Sequence, residues 1–237
     1  MPSPTAIANV NRRSFDFKMS VDGYNAAAKK LGMKNSQWRN PHGLPAREHY
    51  TSARDLARLA KAIIAEFPEY YRLYSEREFS YHGIKQQNRN QLLWRDPSVD
   101  GMKTGFTAAA GYCLVSSAAR DGMRLIAVVL GAENPRLRND GAKKLLDYGF
   151  ANYETRKVYS AGQQVEAAPV TGGDAEFAGV GPAADIFVTI PRGGYALLKA
   201  SFGRLQSLVA PVAAGASVGS IDVSFDGRTL ASTPLVV

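Results

Sequence analysis

Asp100-Gly101-Met102-Lys103-Thr104-Gly105 is the stretch on which the reading of this chain turns. A lysine, a threonine and a glycine in succession, at the start of an exposed strand, suit an anionic ligand. The cation raises the local positive potential, which favours a carboxylate and lowers the cost of ionising a nucleophile. The threonine hydroxyl can hydrogen-bond that carboxylate. The glycine leaves the strand edge open for a peptide to lie against it. Strands follow. Residues 112–118 are rich in strand formers, 125–131 are a continuous apolar run, and Asp121-Gly122 between them signals a hairpin. The unbroken run predicts a strand buried on both faces, and therefore a central one.

Toward the N-terminus the pattern is helical. Tyr24, Ala27, Ala28 and Leu31 share one face, and Gly32 supplies a stop. Asn40-Pro41-His42-Gly43-Leu44-Pro45 is loop chemistry. Ser52-Ala53-Arg54-Asp55 reads as a capping box, followed by a stripe of Leu56, Leu59, Ala60, Ile63, Ile64 and Phe67 that Pro68 ends. Residues 78–82 alternate weakly, as a strand would. Residues 1–20 carry no sustained period and read as an irregular arm with one short strand around 6–10. Beyond the hairpin, a helix is expected with Ala142, Leu145, Leu146, Gly149 and Phe150 inward and Lys143 and Lys144 toward water. After Tyr159 helical periods vanish and short apolar runs recur between turn residues, with Phe225-Asp226-Gly227-Arg228 a second hairpin signal. That is the pattern of a small all-β domain. The boundary falls near residues 153–162.

Composition narrows the function classes. The chain has 237 residues, 45% hydrophobic and 21% charged, which suits one large or two small globular domains. No run reaches the ~18 apolar residues of a membrane span. The opening twenty residues lack the apolar core of a signal peptide. The net charge is +8, but the cations are dispersed and no nucleic-acid motif accompanies them, so no nucleic-acid partner is expected. The three histidines, His42, His49 and His82, lack metal-ligand spacing, and no nucleotide loop is present, so neither metal nor cofactor is expected. His42 reads as a structural hydrogen-bonding residue and the single cysteine, Cys113, as a small core residue in a buried strand.

Further motifs surround the Lys103-Thr104-Gly105 stretch. They include Asn25, Ala28 and Leu31-Gly32-Met33, then Asn40-Pro41-His42-Gly43-Leu44. Asn88-Arg89-Asn90, Leu92-Leu93, Val99-Asp100-Gly101, Ala110-Gly111-Tyr112, Leu145-Leu146-Asp147-Tyr148-Gly149-Phe150 and Ala210-Pro211-Val212 complete the set. In this order and spacing, from about Val21 to Val237, the chain resembles the low-molecular-weight penicillin-binding proteins, the serine-type D-alanyl-D-alanine carboxypeptidases, over their C-terminal two-thirds. The resemblance implies an α+β fold: an incomplete transpeptidase-like domain over residues 21–157, with an antiparallel sheet and helices, and a sandwich-like β domain over 158–237. It implies removal of the terminal D-alanine from peptidoglycan stem peptides through an acyl-enzyme, reaction with β-lactams, and a periplasmic or extracytoplasmic location. Lys103, Thr104 and Gly105 would line the site, the Phe106 backbone N–H would serve as an oxyanion donor, and Arg89 would lie near the substrate carboxylate.

The resemblance also requires Ser-x-x-Lys and Ser-x-Asn. No serine in this sequence has a lysine three residues later or an asparagine two residues later; Ser14 and Lys18 are four apart. With no nucleophile found, the chain is expected to be inactive alone. The competing reading is a non-catalytic peptidoglycan-binding or interaction module. Unpaired sheet edges beside residues 125–130 imply self-association or a swapped oligomer. The chain ends on strand-like Leu235-Val236-Val237, so no C-terminal membrane helix is read.

Overall fold

The computed structural model describes residues 17–203, 205 and 207–237, with side chains from Val21 onward. The strand expected around residues 6–10 and the side chain of Ser14 lie outside the described residues. Helix α1 (Phe17–Lys30) starts inside the segment expected to be irregular, so residues 17–20 are helical. It closes at Gly32, whose φ of 68° only glycine adopts cheaply. Gly32 N–H reaches the Lys29 carbonyl and Met33 N–H the Ala28 carbonyl, the paired bonds of a Schellman stop.

Ser52 caps α2 (Ala53–Glu66), its hydroxyl accepting the Asp55 N–H at 3.2 Å. The reciprocal half of the expected capping box is replaced. Fully buried Asp55 turns away from the cap and accepts the Asn35 N–H at 2.7 Å and the Ser36 hydroxyl at 2.9 Å, tying the preceding loop to the helix. Pro68 opens a short α3 (Pro68–Tyr71). The hairpin β1 (Glu78–Tyr81) and β2 (Ile84–Gln87) turns through His82-Gly83, both at positive φ; only its first strand was legible. Next come α4 (Leu92–Arg95), β3 (Val99–Thr107), β4 (Gly111–Arg120), β5 (Met123–Ala132) and α5 (Pro135–Asn152).

The sheet β3-β4-β5 is antiparallel, and Asp121-Gly122 makes the expected tight turn from β4 to β5. One face packs on α2, where Ala60, Ile63 and Ile64 meet Met102, Val115 and Ile126. On the other, Gly141 of α5 approaches Val129. Ile126 and Val129 are three apart on one strand and so point to opposite faces. Both faces of β5 thus meet a helix, but the run 125–131 is mostly half-buried, with Leu130 and Gly131 exposed, and the inference that β5 is central fails: β4 is the middle strand among the described residues. Helices on each face supply the cover, so an apolar run reports flanking layers, not position in the sheet. In α5 the buried stripe is Arg138, Asn139, Ala142, Leu146 and Phe150, and Leu145, expected inward, is exposed.

The described chain divides into two compact units between Tyr148 and Gly149, within α5. Past the end of α5 the second unit is built of β-strands. Its main sheet has the order β10-β12-β13-β8-β7-β11, from β7 (Glu166–Thr171), β8 (Phe177–Pro182), β10 (Leu198–Phe202), β11 (Leu208–Val209), β12 (Ser217–Phe225) and β13 (Arg228–Val236). A separate ribbon joins β6 (Tyr153–Tyr159) to β9 (Ile186–Pro191), so β6 belongs by its pairing to this unit. Ile186, Val188, Ile190, Val218, Ile221, Val223 and Leu235 form the core.

Candidate functional site

Among the described residues β3 is an outer strand, and its inner half is clamped from behind. Asp100 accepts the Tyr71 hydroxyl at 2.7 Å and forms a two-pronged pair with Arg124 at 2.8 and 2.7 Å. Arg124 also donates to Ser117 at 2.7 Å and lies 5.5 Å above the Tyr71 ring. Burial, and then the bond to Asp100, push the Tyr71 hydroxyl well above the usual phenol range, so it remains a donor. The Gly101 carbonyl accepts from Asn90 at 2.9 Å and Ser116 at 3.2 Å, both fully buried. A Cβ on Gly101 would stand 2.6 Å from the Tyr71 hydroxyl, so a side chain here would force the Tyr71 ring to shift.

Past the clamp the strand opens. Lys103, Gly105 and Phe106 are exposed and Thr104 half-buried. Together with Arg89 they line one cleft of about 1180 Å³, so the five residues singled out in the sequence converge on one place. The Lys103 ammonium donates to the Thr104 carbonyl. Phe106 stacks on Tyr112 with ring centres 4.2 Å apart.

The opposite wall is the loop from His42 to Thr51. Asn25 holds its base, exchanging bonds with the Trp38 backbone at 2.9 Å each way. Asn40 staples the turn by accepting the Gly43 N–H at 2.8 Å and donating to the Leu44 carbonyl at 2.9 Å. His42 Nδ1 accepts the Leu44 N–H at 3.2 Å. His49 Nδ1 accepts the Arg39 N–H at 3.2 Å, and burial with the field of His42 holds its pKa below the usual 6.5. Among the described residues no group of three or more His, Cys, Asp or Glu is placed to hold a metal ion.

Two lining residues differ from expectation. Cys113, expected in the core, is half-exposed in the cleft wall opposite Gly105, which raises no side chain over it. Arg138 was missed. It is 5% exposed, donates to the Arg89 carbonyl and the Asn139 side chain at 3.2 Å each, and pairs with no carboxylate among the described residues. Burial lowers its pKa. No buried side-chain nitrogen or oxygen among the described residues lacks a partner, so its unbonded Nη1 opens on the cleft. The available signal was an arginine four residues before Ala142, on the buried stripe. Arg89, Lys103 and Arg138 therefore face a space lined by no aspartate or glutamate among the described residues, an arrangement that selects an anion.

Residues 11–134 match the profile of the D-alanyl-D-alanine carboxypeptidase family, and residues 153–237 that of the penicillin-binding protein 5 C-terminal domain. The D-alanyl-D-alanine carboxypeptidase DacA of Escherichia coli K12 is 43% identical over 215 residues, 90% of this chain and 53% of that protein. Among solved structures, penicillin-binding protein 5 from Haemophilus influenzae superposes with a TM-score of 0.77 at 42% identity, covering 92% of this chain and 64% of that one. Penicillin-binding protein D2 from Listeria monocytogenes, in its ampicillin-bound form, gives a TM-score of 0.52 at 34% identity over 55% of each. The chain spans about half the length of the curated relatives it matches.

Proposed function

The chain belongs to the D-alanyl-D-alanine carboxypeptidase family of low-molecular-weight penicillin-binding proteins, and on that premise we propose that its cleft docks the D-Ala-D-Ala end of peptidoglycan stem peptides. The observation that carries this reading is the cleft's charge: three cations and no carboxylate among the described lining residues, beside an open strand edge. Arg138, buried and unpaired with any acid among the described residues, takes the terminal carboxylate together with Arg89 and the Thr104 hydroxyl. A guanidinium fork suits a carboxylate better than a point charge does. The peptide backbone adds to the edge of β3, where Gly105 leaves room. Lys103 supplies positive potential beside the scissile bond, and the Phe106 N–H stabilises the developing oxyanion in a complete family enzyme.

This 237-residue sequence contains neither Ser-x-x-Lys nor Ser-x-Asn, so the chain on its own binds without acyl transfer. Its setting is the extracytoplasmic wall, where the polymer is found. No described helix is long and apolar enough to cross a membrane.

The test combines a fluorescent penicillin, read by intact mass, with titration of a D-Ala-D-Ala-terminated peptide. The expected result is no covalent adduct, saturable peptide binding, and at least about tenfold weaker binding in Arg138→Ala, the loss of one charge-assisted contact. Stoichiometric penicillin labelling would overturn the inactivity, and peptide binding indifferent to Arg138→Ala would overturn the docking.

A further inference from the structure

Beyond Arg89 the cleft continues into a second, shallower groove. Arg89 and Gln91 line both; Gln87, Asn88, Trp94 and Arg95 complete the second, which has a volume of about 570 Å³. Its chemistry differs from the cleft's. α4 buries Leu92 and Leu93 completely or nearly so and thereby turns Trp94 and Arg95 outward. Trp94 is 41% exposed, and its indole N–H has no partner among the described residues.

The polar walls are fixed in advance. Buried Asn139 donates to Gln91 Oε1 at 3.0 Å, which leaves the Gln91 amide nitrogen free to donate into the groove. Asp140 holds Arg95 at 2.7 Å, and Asn88 is tied to the Tyr74 and Glu76 carbonyls at 3.3 and 3.0 Å. An exposed aromatic face with an apolar body and a polar tip, ringed by immobilised amides and a guanidinium, is poorly suited to an apolar partner. It matches a pyranose ring, whose C–H face stacks on the indole while hydroxyl and acetamido groups take the amide hydrogen bonds. Pre-fixed walls lower the ordering cost of such a weak ligand.

We infer that the Trp94 groove is a subsite for N-acetylated amino-sugar units of the wall glycan. The inference rests on the proposed docking of stem peptides in the adjoining cleft, because that docking brings the polymer there. The groove lies past the guanidiniums assigned to the terminal carboxylate. Its sugar therefore belongs to the polymer around the peptide's end, and a sugar-free peptide binds without it.

The experiment follows the two indole N–H resonances, of Trp38 and Trp94, in the full chain by NMR during titration with chitotriose into the millimolar range, with cellotriose as the control lacking acetamido groups. The expected result is a saturable shift of the Trp94 resonance with chitotriose and a weaker one with cellotriose. Affinity should fall by roughly three- to tenfold in Trp94→Ala, the scale of one aromatic stacking contact. Gln87→Ala should weaken it less, and D-Ala-D-Ala peptide binding should be unchanged in both. The inference is overturned if the Trp94 resonance is unmoved, if only that of Trp38 shifts, or if Trp94→Ala binds chitotriose as tightly as the parent. In each of those cases an intact peptide titration leaves the docking reading standing, whereas loss of peptide binding with retained chitotriose binding rejects that reading alone.

Discussion

At the scale of single residues, the site depends on groups that never touch its ligand. Lys103 and Thr104 are placed by what holds the two residues before Met102. Asp100 is gripped by Tyr71 and Arg124, and the Gly101 carbonyl by Asn90 and Ser116. Gly101 and Tyr71 are in mutual contact, so their substitutions should couple. Gly101→Ala overpacks the clamp and is expected to cost about 2 kcal/mol. Tyr71→Phe removes one bond to a charged acceptor and is expected to cost about 2 kcal/mol. In the double variant part of the clash is relieved, so the summed cost should fall short of additivity, although the ring carbon 3.1 Å away keeps it from vanishing. Urea unfolding of the four proteins gives the coupling directly; strict additivity would show that the clamp does not act as a unit. The Lys-Thr-Gly run was legible because its chemistry lies in consecutive residues. Arg138 and the half-exposure of Cys113 were not, because both follow from which element lies across the cleft.

At the scale of elements, turns and capped helices were read well and strand order was not. Asp121-Gly122 and Asp226-Gly227 carry their φ preference in the dipeptide itself, and both became tight turns. β2, β6 and β10 were missed because short strands whose residues are mostly exposed or polar show little alternation, and β8 was missed because two glycines and a proline interrupt its apolar residues. Ion pairs between elements were equally invisible. Arg120, at the end of β4, reaches Asp96 at 2.6 Å and Asp147 of α5 at 3.2 Å, and Lys143 pairs with Asp147 at 2.7 Å. Burial pushes the Asp96 carboxyl up, but the Ser98 N–H and hydroxyl and the Arg120 guanidinium outweigh it and hold the group below its ordinary 3.8. A carboxyl depressed on folding stabilises the fold above its unfolded pKa and loses that contribution as pH falls through the folded value. Stability should therefore be level from neutrality toward pH 5 and decline below about pH 4. Asp96→Asn should be less stable at neutral pH and show a flatter acid limb in thermal melts taken across that range. An acid limb identical to the parent's would remove Asp96 from the account.

For the molecule as a whole, what matters is which sheet edges are left open. In the second unit the main sheet ends on the five-residue β10 and the two-residue β11, both too short to template another chain well. Among the described residues the sheet of the first unit ends on β3, whose edge borders the cleft, and on β5, ten residues long, with Leu130 exposed in the cleft wall. A long apolar edge of that kind pairs readily with a second copy. Opposing it is a net charge of +8, which repels like chains until salt screens it beyond roughly 8 Å at physiological ionic strength. The two effects make a signed prediction. Sedimentation velocity at micromolar concentration should show a species larger than monomer whose fraction grows with added salt. Leu130→Lys, which places a cation where that edge meets the cleft, should return the chain to monomer without lowering its melting temperature; because Leu130 also lines the cleft, the salt dependence and not this variant identifies the surface. Growth with salt separates edge pairing from association through the charged cleft, which salt would weaken. A single monomer boundary at every salt concentration would mean that the edge of β5 is protected, and self-association would then have no part in how this chain works.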